Sequence, residues 1–310
     1  MPLPDFPIHS DQFPRQGTLG GIRVREDTLC SDHRGKEKKA VRKRVTKALE
    51  KLQEPLSKAL EPEEVVLYVA RAQAPAGLFE QFTFGWFIYY ITGTMLVLTN
   101  RRLLHFLVKS NGDWKRSQRS LLWGDVTEAK VKGLLSRTLQ LRYRNGKKEV
   151  YWGMRRDDSK KIKLLLSAIL PAATGEGSAA QEMIPLCPSC RAALAAGIYR
   201  CGQCFLDFKD ETTMLRRSLF IPGGGYFYTG NRLLGVVDFL VEGYLLLLFL
   251  IFLLAGTGVA PDLLAEPGEN PVEPAAALIS AGIVGVLLAV EKWMTIHHCR
   301  RFVREFIPVK

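Results

Sequence analysis

The sequence predicts an α+β protein built from three parts. Apolar and polar residues alternate in several short runs between residues 61 and 170, and an amphipathic stretch closes this region, which is typical of an antiparallel sheet capped by a helix. Two C-x-x-C pairs follow, and the last third of the chain holds two apolar segments of about 20 residues. We therefore expect a small sheet domain, a cysteine module and a two-helix membrane hairpin within the 310 residues.

The first 60 residues divide into an arm and a helix. Residues 1–32 mix Pro, Gly, Asp, Ser and Gln without periodicity, which predicts a disordered arm. Residues 33–60 carry apolar side chains at helical spacing and Lys or Arg on the other faces, which predicts a basic amphipathic helix ended by Pro55 and Pro62. Such a helix either lies on an anionic membrane surface or packs on its own domain.

Residues 61–170 read as strands followed by one helix. Leu139, Leu141 and Tyr143 alternate with polar residues before Asn145-Gly146, a pair that favours a type I′ hairpin turn. The run DDSKKIKLLLSAIL then begins with acidic residues and places its apolar residues on one face. This pattern predicts a capped helix that closes a small sheet.

One stretch of this region resembles a known family. GTMLVLTNRRLLHF, at 93–106, is similar to the G-x-L-x-L-T-x-x-R-L-x-x-F signature of bacterial PH-like and GRAM domains, and SLLWGDVTEAKV, at 120–131, resembles the strand that follows it. The resemblance covers residues 61–170. It implies a curved antiparallel sheet capped by a C-terminal helix, used for lipid or protein binding and not for catalysis.

The segment LFEQFTFGWFIYYI, at 78–91, departs from that family because it is unusually aromatic. We expect an edge strand whose rings fill the core. A second interpretation is a loop that dips into the bilayer interface, with Trp86, Phe87, Tyr89 and Tyr90 at headgroup level. A third, a transmembrane helix over 78–98, would destroy the signature strand.

The basic charge of the chain is concentrated in the sheet domain. The formal net charge is +12, and residues 99–163 alone hold 18 Lys and Arg against 6 Asp and Glu. Beside a membrane anchor, a basic domain points to anionic lipid headgroups before nucleic acid, because the anchor already holds it near the bilayer. The candidate lipid-facing residues are Lys109, Lys115, Arg116, Arg119, Lys130, Lys132, Arg142, Arg144, Lys147 and Lys148.

Four cysteines form the most specific motif. After a Pro- and Gly-punctuated linker at 171–185, two C-x-x-C pairs stand ten residues apart, within a module that spans 186–210. Each pair can aim two thiolates at one point, and four thiolates make a closed tetrahedral Zn²⁺ site. This resembles a short zinc ribbon; a redox dithiol is the competing interpretation. The predicted zinc ligands are Cys187, Cys190, Cys201 and Cys204.

Residues 215–310 predict a two-pass membrane region with a basic cytosolic tail. The segments 235–255 and 275–294 are each long enough to cross a bilayer. The loop between them carries acidic residues and no Lys or Arg, whereas basic residues flank both outer ends. This distribution places both termini in the cytosol. With no signal-peptide pattern at the N-terminus and with bacterial resemblances, we expect an integral protein of a bacterial inner (plasma) membrane.

Three sequence features of residues 215–310 suggest structural or functional roles. The stretch GGYFYTG, at 224–230, is similar to part of the two-helix TM2 family and implies an interfacial turn anchored by its aromatic rings. A small-residue stripe permits close approach of a neighbouring helix, either the first span of the same chain or another copy. Asp238 and Glu242 share one face of the first span, which favours a structural ion pair over an ion or proton path. The stripe is Ala277, Ala281, Gly285 and Ala289.

No nucleophile elbow, P-loop, zincin or kinase motif occurs, so we expect no enzyme. The leading hypothesis is a membrane-anchored binding or scaffold protein whose basic domain engages anionic lipid or a protein partner. The alternatives are a small transporter or channel component that uses Asp238 and Glu242, and a membrane-tethered nucleic-acid binder.

Overall fold

A computed structural model of the chain describes residues 16–133, 136–173, 180, 182–264 and 273–309. It has an α+β fold with a large antiparallel sheet and C-terminal helices, two of which are long and apolar enough to cross a membrane. The chain divides into two compact units, Met1–Leu206 and Asp207–Lys310.

The sheet of the first unit runs in the order β10-β6-β5-β4-β3-β9-β8-β7. Neighbours along this path are antiparallel. Short turns join consecutive strands from β4 to β6 and from β7 to β9, whereas residues 74–92 connect β3 to β4. The strands are β1 Gln16–Leu19, β2 Ile22–Arg25, β3 Val66–Gln73, β4 Gly93–Thr99, β5 Arg102–Val108, β6 Trp114–Leu122, β7 Val126–Lys132, β8 Arg137–Tyr143, β9 Lys148–Met154 and β10 Ile184–Leu186.

One hydrophobic core lies between the sheet and a helix that packs on it. The inward residues of β8, Leu139, Leu141 and Tyr143, are buried as their alternation predicts. Helix α5, Arg156–Ala172, packs Ile162 and other apolar residues on them, and its first turn carries acidic residues that favour a helix N-terminus. The predicted sheet with a C-terminal helix thus forms over this stretch.

A second core covers the opposite face of β3–β6. Helix α2, Lys39–Ala59, buries Leu49, Leu52 and Leu56 against residues such as Val97 and Phe106. Because its apolar face is buried in its own unit, the interpretation that this helix lies on a membrane is wrong. Pro55 does not end the helix, which continues to Ala59.

The disordered-arm prediction is wrong for residues 16–32. Strands β1 and β2 form a hairpin, helix α1, Glu26–Leu29, follows, and Ile22, Val24 and Leu29 are buried in the second core. The apolar runs within residues 16–32 are each too short to show a helical or strand periodicity, and their burial depends on contacts with α2 and β3. Residues 1–15 of the predicted arm lie outside the described residues.

The aromatic segment is helical, so the predicted edge strand is wrong. It consists of α3 Leu78–Phe84, one 3₁₀ turn at Gly85–Phe87 and α4 Ile88–Ile91. The Glu80 carboxylate accepts a hydrogen bond from the Gly77 N–H at 2.9 Å and caps α3. The helix is broken at Gly85, whose φ is 49°, and β4 begins at Gly93, so a span over 78–98 is also wrong.

The predicted turn at Asn145-Gly146 joins β8 to β9 but is not type I′. Only Gly146 has a positive φ, 79°, and its N–H bonds the Tyr143 carbonyl at 3.0 Å. The Tyr143 N–H bonds the Lys147 carbonyl at the same distance, which is the type I turn with a bulge that suits a three-residue loop.

The described part of the second unit contains four α-helices, and its two ends pair with each other. Lys209 N–H bonds the Ile307 carbonyl at 3.1 Å, and Val309 N–H bonds the Asp207 carbonyl at 3.0 Å. The beginning and the end of this unit therefore lie side by side. Its helices are α6 Glu211–Phe220, α7 Gly224–Thr229, α8 Arg232–Gly256 and α9 Pro274–Val303.

Candidate metal centre, basic face and membrane carboxylates

The four predicted cysteine ligands converge. Cys187 Sγ lies 3.6 Å from Cys204 Sγ, Cys190 Sγ lies 3.5 Å from Cys201 Sγ, and all four sulfurs fall within 4.8 Å of one another. Tetrahedral zinc–sulfur bonds of about 2.3 Å require sulfurs about 3.8 Å apart, whereas a disulfide requires about 2.05 Å. The cluster therefore has the size of a four-thiolate metal site, and the cysteines could hold a metal ion.

Two equivalent turns build this cluster. The Arg191 N–H bonds the Cys187 carbonyl at 2.9 Å, and the Phe205 N–H bonds the Cys201 carbonyl at 3.1 Å. The residue after each pair is left-handed, with φ of 66° at Arg191 and 58° at Phe205. A non-glycine residue rarely takes this conformation, so both turns hold strain that the surrounding contacts overcome.

Backbone groups aim at the sulfurs. Burial raises the pKa of Cys187 to about 12. Burial also acts to raise the pKa of Cys201. Hydrogen bonds from the N–H groups of Cys204 and Gln203 and from the neighbouring thiols outweigh this effect and lower the pKa to about 6. The N–H groups at this turn therefore favour the thiolate form of Cys201, the form that binds metal.

The cysteine module is joined to the sheet. Strand β10 pairs with β6, Ile184 with Ser120 and Leu186 with Gln118. The Gln118 side-chain amide donates to the Cys187 carbonyl at 3.2 Å. The end of the predicted linker is therefore a sheet strand, while residues 174–179 and 181 lie outside the described residues.

Six of the ten candidate lipid-facing residues lie on strands β7–β9 and the hairpin between β8 and β9. Arg142 stands between Glu128 on β7 and Lys148 on β9, so their side chains share the outer face. Glu128 pairs with Lys130, and with Arg142 at 3.7 Å, and its hydrogen bond from Lys130 lowers the pKa of the carboxyl group. The six cations are Lys130, Lys132, Arg142, Arg144, Lys147 and Lys148.

The other four candidates lie on β6 and the turn before it. Lys109 and Arg116 are exposed, and Lys115 donates to the Ile91 carbonyl at 3.3 Å. Arg119 is only half-exposed, because its strand position pairs with Pro185 of β10. The structure thus divides the candidates into two groups and leaves Arg119 beside the cysteine module.

The two acids that the sequence predicts to lie within the membrane have side-chain partners on α9. Glu242 is 2% exposed, forms an ion pair with Lys292 and accepts the Gly223 N–H at 3.2 Å. Asp238 accepts a hydrogen bond from Thr295 at 3.1 Å, and Glu291 accepts one from the same hydroxyl at 2.7 Å. Glu291 was visible as an acid in an apolar run, but only the packing of α8 on α9 places it here.

The small-residue stripe faces the first span over most of its length. Ala277 and Ala281 are buried, and a Cβ at Gly285 would approach the Phe249 ring to 3.3 Å. Ala289 is exposed. Of the predicted interfacial rings, Tyr226 is instead buried, with its hydroxyl 2.9 Å from His298 Nδ1.

Comparisons of the chain with protein-family models, with curated proteins and with solved structures found no match.

Proposed function

We propose that the protein is a membrane-anchored, non-enzymatic binding protein whose sheet domain is PH-like and engages anionic lipid. The observation that carries the proposal is the basic outer face of β7–β9 and its hairpin, on which the six cations outnumber the carboxylates that pair with them, Glu128 and Glu182. Each Lys or Arg near an anionic membrane surface contributes about 1 kcal/mol of attraction.

The topology supports the PH-like assignment. Four antiparallel strands, β3–β6, are followed by three more, β7–β9, and by a closing helix, and β9 returns to pair with β3 at Gln73. An antiparallel sheet with a C-terminal helix is what the resemblance to PH-like domains implies, and this agreement supports the proposal.

The second unit serves as the anchor in this proposal. Only 17% of the most apolar 18 residues of α8, and 17% of those of α9, are buried, unlike the core helix of a soluble protein. The pairing of residues 207–209 with 307–309 keeps both ends of the hairpin together, which agrees with two cytosolic ends at a bacterial plasma membrane.

The metal in this proposal is zinc, bound for structure. Four thiolates leave no open coordination position for water or substrate, so the ion stabilises the small module and does not catalyse a reaction.

The test uses the full chain in lipid nanodiscs, with hydrogen exchange as the measurement. We expect the β8–β9 hairpin, residues 144–148, to gain protection when phosphatidylglycerol is added to phosphatidylcholine. The charge reversal Lys130→Glu with Lys132→Glu should remove that gain. The matched control, Lys160→Glu with Lys163→Glu on exposed positions of α5, should keep it. Equal protection in neutral discs would defeat the proposal.

A transporter role remains the second candidate because Glu291 joins Asp238 and Glu242, with one oxygen of each within 4.8 Å. The ion pair of Lys292 with Glu242 favours a structural role for these groups instead. Proteoliposomes that hold an imposed pH gradient separate the two. Proton flux that Asp238→Asn with Glu242→Gln abolishes would establish transport.

A further inference from the structure

The aromatic segment Leu78–Ile91 exposes one apolar face to a degree unusual for a water-soluble surface. Leu78 is 85% exposed, Phe82 88% and Trp86 90%. Leu78 and Phe82 lie four residues apart on one side of α3, and Trp86 follows directly after the break at Gly85. Glu80 is the one charged residue among its 14 residues. Contiguous apolar exposure of this kind marks an interaction site.

The opposite face holds the segment to the domain. Phe84, Ile88 and Ile91 are buried. The Tyr89 ring meets the Trp152 ring edge-on at 5.0 Å, and Trp152 Nε1 donates to the Ala74 carbonyl at 3.1 Å. Because one set of apolar residues anchors the segment, the other set is presented outward by a built structure and not by a frayed end.

Cations stand at the base of this segment. It leaves the sheet after β3 and returns at β4, at the same end where β5 turns into β6. Lys115 donates to the Ile91 carbonyl at 3.3 Å, and Arg71 donates to the Ser110 carbonyl at 2.8 Å, next to Lys109. An apolar tip is thus combined with a basic rim.

This combination fits one partner, the interface of a bilayer with anionic headgroups. Trp, Tyr and Phe favour the boundary between headgroups and acyl chains, and Lys and Arg favour the phosphates just above it. The same chain carries two helices long and apolar enough to cross a bilayer. We propose that Leu78–Ile91 is an interfacial anchor, whose exposed side chains enter the bilayer while the cations at its base meet headgroups. This proposal deepens the lipid-binding function above and rests on it.

The test follows Trp86 in the full chain, reconstituted in nanodiscs with ordinary or brominated lipid. The emission of Trp86 is obtained by subtracting the fluorescence spectrum of Trp86→Phe from that of the wild-type chain. This subtraction removes the contribution of the other four tryptophans. We expect this emission to be blue-shifted, quenched by brominated lipid and protected from aqueous iodide.

A second variant measures the energetics without removing the reporter. Phe82→Gln should lower the ratio of inserted to free segment by about tenfold, because it removes one exposed aromatic side chain that the bilayer would otherwise cover. The matched control is Leu164→Gln, at a half-exposed apolar position on α5, and it should leave the Trp86 emission unchanged.

Trp86 emission that is quenched by iodide and indifferent to brominated lipid would overturn the anchor. The two proposals fail separately. If anionic lipid protects the β8–β9 hairpin while Trp86 stays in water, lipid binding stands and the anchor is wrong. If Trp86 enters lipid while the hairpin gains no protection, the anchor stands and the basic face needs another ligand.

Discussion

The side-chain amide of Gln118, on β6, donates to the backbone carbonyl of Cys187, the first of the four clustered cysteines, at 3.2 Å. Gln118 is buried, and its strand pairs with Leu186 of β10, the residue before that cysteine. The cysteine cluster and the edge of the sheet are therefore one connected structure, and we expect a change at the cysteines to reach β6.

Metal removal should loosen the edge of the sheet. The cysteine module has few buried apolar residues, so a metal bound by the four thiolates would supply most of its folding free energy. We expect a chelator to increase hydrogen exchange in residues 184–206 and in β6, while β8 stays protected. Elemental analysis should find about one zinc per chain. Cys201→Ser should abolish both the metal and the protection, and an unchanged exchange pattern after metal loss would contradict the coupling.

Relief of backbone strain should stabilise the cysteine module. Arg191 has φ of 66°, a conformation that costs glycine nothing. We expect Arg191→Gly to raise the stability of the metal-bound module by about 1 kcal/mol, measured as resistance to chelator in a competition titration. Ser189 is exposed in the same turn without a positive φ, so Ser189→Gly should have no such benefit.

Lys161 should make the first unit more stable at alkaline pH. It is 4% exposed and donates to Ser31 Oγ at 2.7 Å and to the Asp32 carbonyl at 3.1 Å. Burial lowers the pKa of Lys161 from 10.5 to about 8. Between those values the unfolded chain holds more protons than the folded one, so the free energy of unfolding rises with pH, by up to about 3 kcal/mol.

Urea titrations of the full chain at several pH values, followed by near-ultraviolet circular dichroism, measure this rise. Lys161→Met should flatten it, because the titrating group is gone. Lys160 is exposed, and Lys160→Met should retain the wild-type slope. Parallel curves for Lys161→Met and the wild type would show that Lys161 is not the source.

The ion pair in the membrane region should be mainly structural. Glu242 is buried beside Lys292, so Lys292→Met leaves an uncompensated charge and should cost about 3–5 kcal/mol. Thermal unfolding in detergent measures this loss. Lys292→Met with Glu242→Gln should recover most of it, since the pair is then removed together. A single variant as stable as the wild type would argue that the pair contributes nothing.

The local patterns of the sequence determined much of this protein. Cysteine spacing predicted the cluster at 187–204 because the geometry of each C-x-x-C turn is local. Alternation predicted the buried residues of β8, since a strand has a period of two. Length and composition alone predicted the two apolar helices α8 and α9.

Only the tertiary structure decided which surface each ambiguous segment meets. The apolar face of α2 is the same whether it meets a membrane or a sheet, and the second core settles the choice. Residues 16–32 adopt regular structure because partners distant in sequence bury Val24 and Leu29. The aromatic segment Leu78–Ile91 is helical instead of extended. Glu291 and Lys292 reach Asp238 and Glu242 only through helix packing. Burial depends on contacts between residues far apart in the chain, and no local period encodes those contacts.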